Sequence, residues 1–229
     1  MPAQQAIRRW FDRNYASLGL SYLRPAEFYS IFLDYLDVQP GDRLLDVGCG
    51  PGLLLERALE RELDAHGVDL SVVALSMARR AYPRARLSAC NAESLCYPTG
   101  SFDHLTCIGV FEHCLDPDRT LSEMKRVLRA HGRLCIMVPN SRTLKWRIEA
   151  DLLRQHDEDS NENAATFEAW RDIFLRNDLL IEQIHRDEWP RHQRWRWLHR
   201  RPFGYATTPK RHLAPLRYAN QFVFVMRPG

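Results

Sequence analysis

A glycine-rich turn carries the clearest chemical pattern in the sequence. Residues 46–52 read Asp-Val-Gly-Cys-Gly-Pro-Gly and join a short apolar run to an amphipathic stretch. Glycines at such a junction allow a tight turn, and they let a ligand approach backbone amides that a Cβ atom would block. The dinucleotide pattern G-x-G-x-x-G is not met, and no Gly-Lys-Ser/Thr of a phosphate-binding loop follows. The turn predicts a ligand site that is neither a dinucleotide-binding site of that pattern nor a phosphate-binding loop.

Two further positions could serve a ligand bound at this turn. Asp69 ends the second apolar run, where a carboxylate can accept hydrogen bonds from both hydroxyls of a ribose. A solvated acid at a helix entry is the alternative. Glu112-His113 follows the fourth apolar run, and an imidazole that titrates near neutral pH could take a substrate proton. His113 could instead pack, or orient a substrate, at the end of the strand.

Short apolar runs alternate with amphipathic stretches from residue 43 onward, which predicts βαβ units and a parallel sheet. The predicted strands are 44–48, 65–70, 86–90, 102–110, 133–138, 179–185 and 218–226. The predicted helices between them are 53–63, 72–81, 117–129 and 166–177. Gly132 is expected to end the third of these helices. Two amphipathic helices precede the first strand: one ends at Gly19 and the other begins at Pro25.

Composition indicates one ordinary globular domain. The chain has 229 residues, of which 45% are hydrophobic and 27% charged. No apolar run approaches the roughly 20 residues of a membrane span, and the first 20 residues lack a signal-peptide core, so we expect a cytoplasmic protein. Six cysteines without C-x-x-C spacing favour free thiols over a metal site or a disulfide framework.

A basic stretch rich in tryptophan lies between the last two predicted strands. Segment 186–217 holds nine Lys or Arg residues and two acids, whereas the whole chain has a net charge of +3. Four interpretations of residues 188–215 stay open: a solvated basic face whose tryptophans pack on the sheet, a cover over a small substrate, a peripheral membrane or lipid contact, and an RNA-binding surface. Pro190 and Pro202 interrupt the helical stripe that a membrane-surface helix would need.

Segment 44–52 resembles motif I of the class I S-adenosylmethionine-dependent methyltransferases. Segments 67–71, 91–93, 101–103, 111–113 and 132–134 agree with later motifs of that family in order and spacing. The Glu-His-x-x-Asp run at 112–116 resembles its small-molecule branch. The resemblance implies an α/β fold: a Rossmann-like, doubly wound, mostly parallel seven-stranded sheet. The resemblance covers residues 40–140. We expect the whole chain to form a single domain, with a helical cover at 1–40, a cofactor-binding core at 41–140 and a substrate-side half at 141–229. The substrate-side half would contain an insertion at 188–215.

The resemblance also implies the cofactor and its contacts. The cofactor would be S-adenosyl-L-methionine, with Asp69 on its ribose, the turn after the third strand on its adenine, and Tyr15 and Tyr22 as candidates in the N-terminal cover. The expected cofactor-binding residues are Asp46, Gly48, Gly50, Gly52, Asp69, Leu70, Asn91, Ala92, Glu93, Ile108 and Gly109. Asp46 is expected to orient the loop amides and the methionine end. Gly109, inside the fourth strand, is expected to mark close approach by a ligand.

The expected reaction is methyl transfer to a small molecule, with His113 as the candidate catalytic base. An oxygen of an anionic, aromatic or lipid-linked acceptor is favoured, because the strand-four turn lacks the Asn/Asp-Pro-Pro-Tyr/Phe sequence of base-amine methyltransferases. The alternatives are an RNA methyltransferase and a non-catalytic binding domain of the same fold. We do not expect a nucleic-acid partner. The chain could be a monomer or a homodimer.

Overall fold

The computed structural model describes residues 2–21, 23–143, 161–187, 216 and 219–229. Its centre is a seven-stranded sheet with the order β3-β2-β1-β4-β5-β7-β6. The strands are β1 (Arg43–Val47), β2 (Asp64–Asp69), β3 (Arg86–Ala89), β4 (Phe102–Ile108), β5 (Leu128–Pro139), β6 (Leu179–Asp187) and β7 (Gln221–Pro228). Strands β1 to β5 pair in parallel, whereas β7 is antiparallel to both β5 and β6. The expected mostly parallel seven-stranded sheet is confirmed.

In the part of the chain that the structure describes, six α-helices connect or precede the strands. They are α1 (Pro2–Leu18), α2 (Ser30–Leu36), α3 (Leu53–Glu60), α4 (Val72–Ala81), α5 (Pro117–Val127) and α6 (Phe167–Arg176). Side-chain oxygens of Ser71, Asp116 and Thr166 accept backbone N–H groups at the first turns of α4, α5 and α6. These caps satisfy amides that have no partner within the helix, and so they set where each helix starts.

The apolar core lies on both faces of the sheet. One cluster joins β4, β5 and β7 to α5 and α6, with Phe174 and Phe224 fully buried in ring contact. The other cluster lies under α2, α3 and α4. Helix α2 contributes Phe32, Leu33 and Leu36, which are fully buried, to this second cluster. The segment 1–40 is therefore not one uniform cover, since α2 is part of the core.

At two glycines, the secondary structure differs from the one that the sequence pattern predicts. Gly132 does not end a helix: α5 ends at Val127, and Gly132 lies inside β5. The pairing of β5 with β4 explains this, because it runs from Leu128 opposite Phe102, shifts register, and resumes at Arg133. Gly109 lies just after β4 rather than inside it, because its φ of +70° is a left-handed conformation that a strand cannot continue.

Some expectations fall outside the described residues. Tyr22 and the segment 188–215, with all four interpretations of it, belong to this group. In the described part of the chain, no helix is long and apolar enough to cross a membrane. All six cysteines are described, and no disulfide bond joins any two of them.

Candidate functional site

A cavity of about 480 Å³ opens where β1, β2 and β4 end. Its size is in the range of roughly 300–1,000 Å³ that is usual for small-molecule sites. In open parallel sheets, ligands bind outside the carboxyl ends of the strands, near the point where the strand order reverses. Here that point lies at β1, between β2 and β4. The predicted residues that line the cavity are Asp46, Gly48, Gly50, Asp69, Leu70, Asn91, Ala92, Glu93, Ile108, Gly109 and His113.

Of the predicted residues, Gly52 alone does not line the cavity. It precedes α3, and a Cβ atom there would lie 2.9 Å from the ring of Tyr82 and 3.2 Å from Ala78 in α4. Its φ is +89°, a conformation that favours glycine. Gly52 therefore permits close packing of the turn against α4, and any effect on a ligand is indirect.

The glycine loop is held open towards the cavity by backbone geometry. The N–H groups of Gly48 and Cys49 both donate to the carbonyl of Val68, at 2.8 and 3.0 Å. Gly48 has a φ of +73°, and a Cβ atom there would overlap the side chain of Val110. At Gly50, a Cβ atom would lie 2.7 Å from the hydroxyl of Tyr15. A side chain at either position would collide with a residue of the cavity wall, so the loop can pack this closely only with glycine there.

Asp69 connects the tip of β2 to the glycine loop. Its Oδ2 accepts the N–H of Gly50 at 2.8 Å and its Oδ1 accepts the N–H of Ser71 at 2.7 Å. Burial raises the pKa of Asp69 to about 6, although these hydrogen bonds oppose the shift. Each carboxylate oxygen can accept a second hydrogen bond, so the pair of acceptors expected for a ribose is still available at the cavity wall.

Asp46 is buried at the end of β1, where it forms a side-chain hydrogen bond with the neighbouring strand. Its Oδ1 accepts the hydroxyl of Thr106 in β4 at 2.7 Å. Burial raises the pKa of Asp46 to about 7, the Thr106 hydrogen bond lowers it, and the nearby Asp69 raises it. Asp46 was expected to orient the amides of the glycine loop. The hydrogen bond to Thr106 instead joins β1 to β4, and Asp46 lines the cavity from this position.

The turn after β3 has its own internal hydrogen bonds. Asn91 Oδ1 accepts the N–H of Glu93 at 3.1 Å, and Glu93 Oε1 accepts the N–H of Leu115 at 2.8 Å. Glu93 Oε2 accepts from Gln4 in α1 at 3.2 Å. Both side chains thus stabilise the cavity wall, which favours the backbone of Ala92 as the group that would meet an adenine edge.

Helix α1 forms one wall of the cavity through Ile7, Trp10, Phe11 and Tyr15. The ring of Phe11 lies edge-on to that of His113, with centroids 5.1 Å apart. Apolar periodicity predicted this helix, and Tyr15, a candidate contact of the expected helical cover, lies in the wall.

His113 and Glu112 lie on a 3-10 turn, Phe111–His113, directly after β4. The segment after residue 160 fixes the backbone of this turn. The N–H of Asn163 donates to the carbonyl of Glu112 at 2.9 Å, and Asn161 Nδ2 donates to the carbonyl of His113 at 3.2 Å. Both side chains of the turn line the cavity.

Glu112 is a site residue that the sequence interpretation missed. Its side chain is 5% exposed, and its Oε2 has no hydrogen-bond partner in the described structure. Burial raises the pKa of Glu112 to about 8, its own backbone N–H lowers it, and Glu162 raises it. The acid beside His113 was visible in the sequence, but periodicity gives no sign that a polar residue after a strand will be buried without a partner.

Comparison with known proteins agrees with this geometry. Residues 45–136 match a family model described as a methyltransferase domain. This match contains the glycine loop, Asp69, the turn after β3 and Glu112-His113. It supports a class I S-adenosylmethionine-dependent methyltransferase, and S-adenosylmethionine is the cofactor of that family.

Three similar proteins illustrate the range of relatives. An uncharacterized 37.1 kDa protein in transposon Tn4556 of Streptomyces fradiae is 34% identical over 49% of this chain and 34% of its own length. A ubiquinone biosynthesis O-methyltransferase of Idiomarina loihiensis is 30% identical over 60% of this chain and 58% of its own. The matched region thus covers about a third to three fifths of these relatives. The structure of phosphoethanolamine N-methyltransferase 2 of Haemonchus contortus, solved with S-adenosylhomocysteine, is similar to this one with a TM-score of 0.71. The two chains are 18% identical, and the match covers 97% of this chain and 60% of the other. The similarity shows a shared fold.

Proposed function

We propose that this protein is an S-adenosylmethionine-dependent methyltransferase that acts on an oxygen of a small aromatic molecule. The observation that supports the proposal most is the cavity at the carboxyl ends of β1, β2 and β4, where the glycine loop, Asp69 and the turn after β3 converge. The methyltransferase-domain match at 45–136 covers all three. Similarity to O-methyltransferases over part of the chain favours a small-molecule acceptor.

The cofactor supplies a methyl group that is already activated on a sulfonium, so the protein's task is to bind, orient and exclude water. Asp69 binds the ribose hydroxyls, and the glycine loop lies against the amino-acid end, where Gly48 and Gly50 have no Cβ atoms in the way. Helix α1 covers the cofactor: its buried Ile7 and Tyr15 close the cavity on one side. This burial strengthens the electrostatic interaction of acidic side chains with a cationic ligand.

A hydroxyl acceptor must lose its proton as it is methylated. His113 is within the cavity wall on the acceptor side, next to the ring of Phe11, and its imidazole can accept that proton. The hydrogen bonds from Asn161 and Asn163 fix the backbone of the 3-10 turn that carries His113 at the wall. His113 thus acts as the catalytic base.

Two measurements test the proposal. S-adenosylmethionine or S-adenosylhomocysteine at 100 times its Kd should raise the stability of the folded chain by about 2.7 kcal/mol, which is visible as a rise of several degrees in Tm. NAD at the same concentration should leave Tm unchanged. A Tm that responds to NAD and not to the sulfur nucleosides contradicts the cofactor assignment.

The acceptor is tested with labelled cofactor and fractionated cell extract. Label is expected in a small organic fraction, and much less of it with His113→Ala. Label in RNA or protein contradicts the small-molecule proposal. Undiminished label with His113→Ala contradicts only the role of His113.

A further inference from the structure

The described wall of the cavity is acidic. It contains Asp46, Asp69, Glu93, Glu112 and Glu162, and among the described residues that line it there is neither lysine nor arginine. Asp46, Asp69 and Glu93 have hydrogen-bond partners of their own. Glu162 is exposed at the rim. Glu112 remains as the buried acid whose hydrogen bonding is incomplete.

The incomplete hydrogen bonding of Glu112 points to a ligand. A buried carboxyl oxygen without a partner costs roughly 1–3 kcal/mol, and native structures rarely leave such an atom unmatched. Asn163 donates from its N–H and from Nδ2 to the carbonyl of Glu112, so the backbone that carries this side chain is fixed at the cavity wall. The carboxyl is thus kept ready for a donor that the protein itself does not provide.

Glu112 also lies on the acceptor side of the cavity. Its Oε1 is 3.9 Å from the position that a Cβ atom would have at Gly109, directly after β4. The neighbouring His113 is in contact with Phe11, and Trp10 packs edge-on against Phe11 with ring centroids 4.9 Å apart. Glu112 and these three rings line the same cavity, which suits a flat apolar group that carries a hydrogen-bond donor.

We propose that Glu112 binds a hydroxyl or ammonium donor on an aromatic acceptor, and that it excludes a carboxylate or phosphate from this part of the cavity. This inference rests on the proposed function and specifies its acceptor. Glu112 is then a specificity-determining residue, and His113 keeps its role as base. Any anionic group of the acceptor must lie outside the wall formed by the described residues.

Charge explains the exclusion. A carboxylate brought against Glu112 would either face a like charge or share one proton with it, in a site that already contains Asp46 and Asp69. A hydroxyl or ammonium group instead completes the hydrogen bonding of Glu112. A site that offers a hydrogen bond to one group and repulsion to another discriminates between them more strongly than attraction alone.

Three single-ring probes test this inference: benzylamine, benzyl alcohol and benzoate. Their Kd values are measured by ligand-observed NMR at pH 9, above the pKa of about 8 that burial gives Glu112, on protein saturated with S-adenosylhomocysteine. We expect benzylamine and benzyl alcohol to bind at least ten-fold more tightly than benzoate. In Glu112→Gln the difference should fall to about two-fold or less, because the amide can donate to a carboxylate. Glu162→Gln, which removes an exposed acid from the same wall, should keep most of the difference.

The outcomes separate this inference from the proposed function. If S-adenosylhomocysteine does not bind the unaltered protein, the proposed function fails. If it binds and benzoate is as tight as the other two probes, or if none of the three probes binds, the role of Glu112 is wrong and the proposed function stands. Should Glu112→Gln not fold, the ranking of the three probes on the unaltered protein still decides between these results.

Discussion

The hydroxyl of Ser71 donates a hydrogen bond of 2.6 Å to Asp12 Oδ1. The Oγ atom of Ser71 also accepts the N–H of Ala74 at 3.1 Å. Ser71 therefore caps α4 and ties α1 to it at the same time. Asp12 and Ser71 are 59 positions apart in sequence. Asp12 Oδ1 also accepts the N–H of Val73 at 3.4 Å, so this carboxylate ties α1 to the first turn of α4. Its neighbours on the helix, Trp10 and Phe11, both line the wall of the cavity.

We expect Asp12→Ala to weaken S-adenosylhomocysteine binding several-fold without loss of folding. The change removes the tie to α4 and leaves Ser71 free to cap that helix. Calorimetry gives the affinity, and amide hydrogen exchange should show faster opening of α1. Arg9→Ala, on the exposed side of α1, is the matched control and should change neither. Equal affinity in Asp12→Ala and the unaltered protein would show that this contact does not position the helix.

Removal of residues 1–18 should leave a folded sheet whose cofactor affinity is at least ten-fold lower. Removal of residues 1–36 should unfold the protein, because it also deletes the buried Phe32, Leu33 and Leu36 of α2. Circular dichroism shows whether each truncated protein is folded, and cofactor titration gives the affinity of the folded one. A folded 1–36 truncation would contradict the assignment of α2 to the core.

Gly48→Ala should lose more stability than Gly41→Ala. Both glycines have positive φ, so both substitutions carry a backbone cost of about 1–3 kcal/mol. A methyl group at Gly41 meets nothing within 4 Å, whereas at Gly48 it overlaps Val110. Urea unfolding measures the difference, and only Gly48→Ala should also impair cofactor binding. Equal losses would mean that Val110 moves aside without cost.

Cofactor affinity should rise with pH from about 5.5 to about 8. Burial raises the pKa of Asp69 to about 6 and that of Asp46 to about 7, so both retain some proton in the empty protein near neutrality. A sulfonium cation and ribose donors favour the carboxylates, which lowers their pKa in the complex and releases protons. Titration calorimetry in buffers of different ionisation enthalpy should detect this release, with less of it in Asp69→Asn. Binding that is independent of pH over this range would contradict the assignment.

Arg24→Met should cost about 3–5 kcal/mol, as expected when one partner of a buried ion pair is removed. Arg24 Nη2 lies 2.7 Å from Asp187 Oδ2, with side-chain exposures of 7% and 14%. Arg176→Met is the matched control, because its pair with Asp118 is exposed at 57% and 56%, and it should cost less than about 1 kcal/mol. Thermal unfolding gives both values. Similar losses would show that burial does not distinguish the two pairs.

Much of the fold follows from local patterns in the sequence. Alternating apolar runs and amphipathic stretches predict β1 to β4, α4 and α6 to within about two residues at most ends, since the same residues both favour an element and bury its face. The motifs at 46–52 and 69 predict the ligand end of the sheet because turn geometry and strand ends are local properties. Gly132 shows the limit: a glycine after a helical pattern usually ends a helix, yet its place is decided by the pairing of β5 with β4.

By itself, the sequence determined the strand-and-helix alternation, the glycine loop and the acid at the tip of β2. Only the tertiary structure decided that Glu93 is engaged by Leu115 and Gln4, that Asp12 ties α1 to Ser71, and that Glu112 is buried with an oxygen left unmatched. The physical reason is the range of the interactions involved. A propensity or a turn depends on a few neighbouring residues, whereas burial and hydrogen-bond completion depend on every element packed around a side chain.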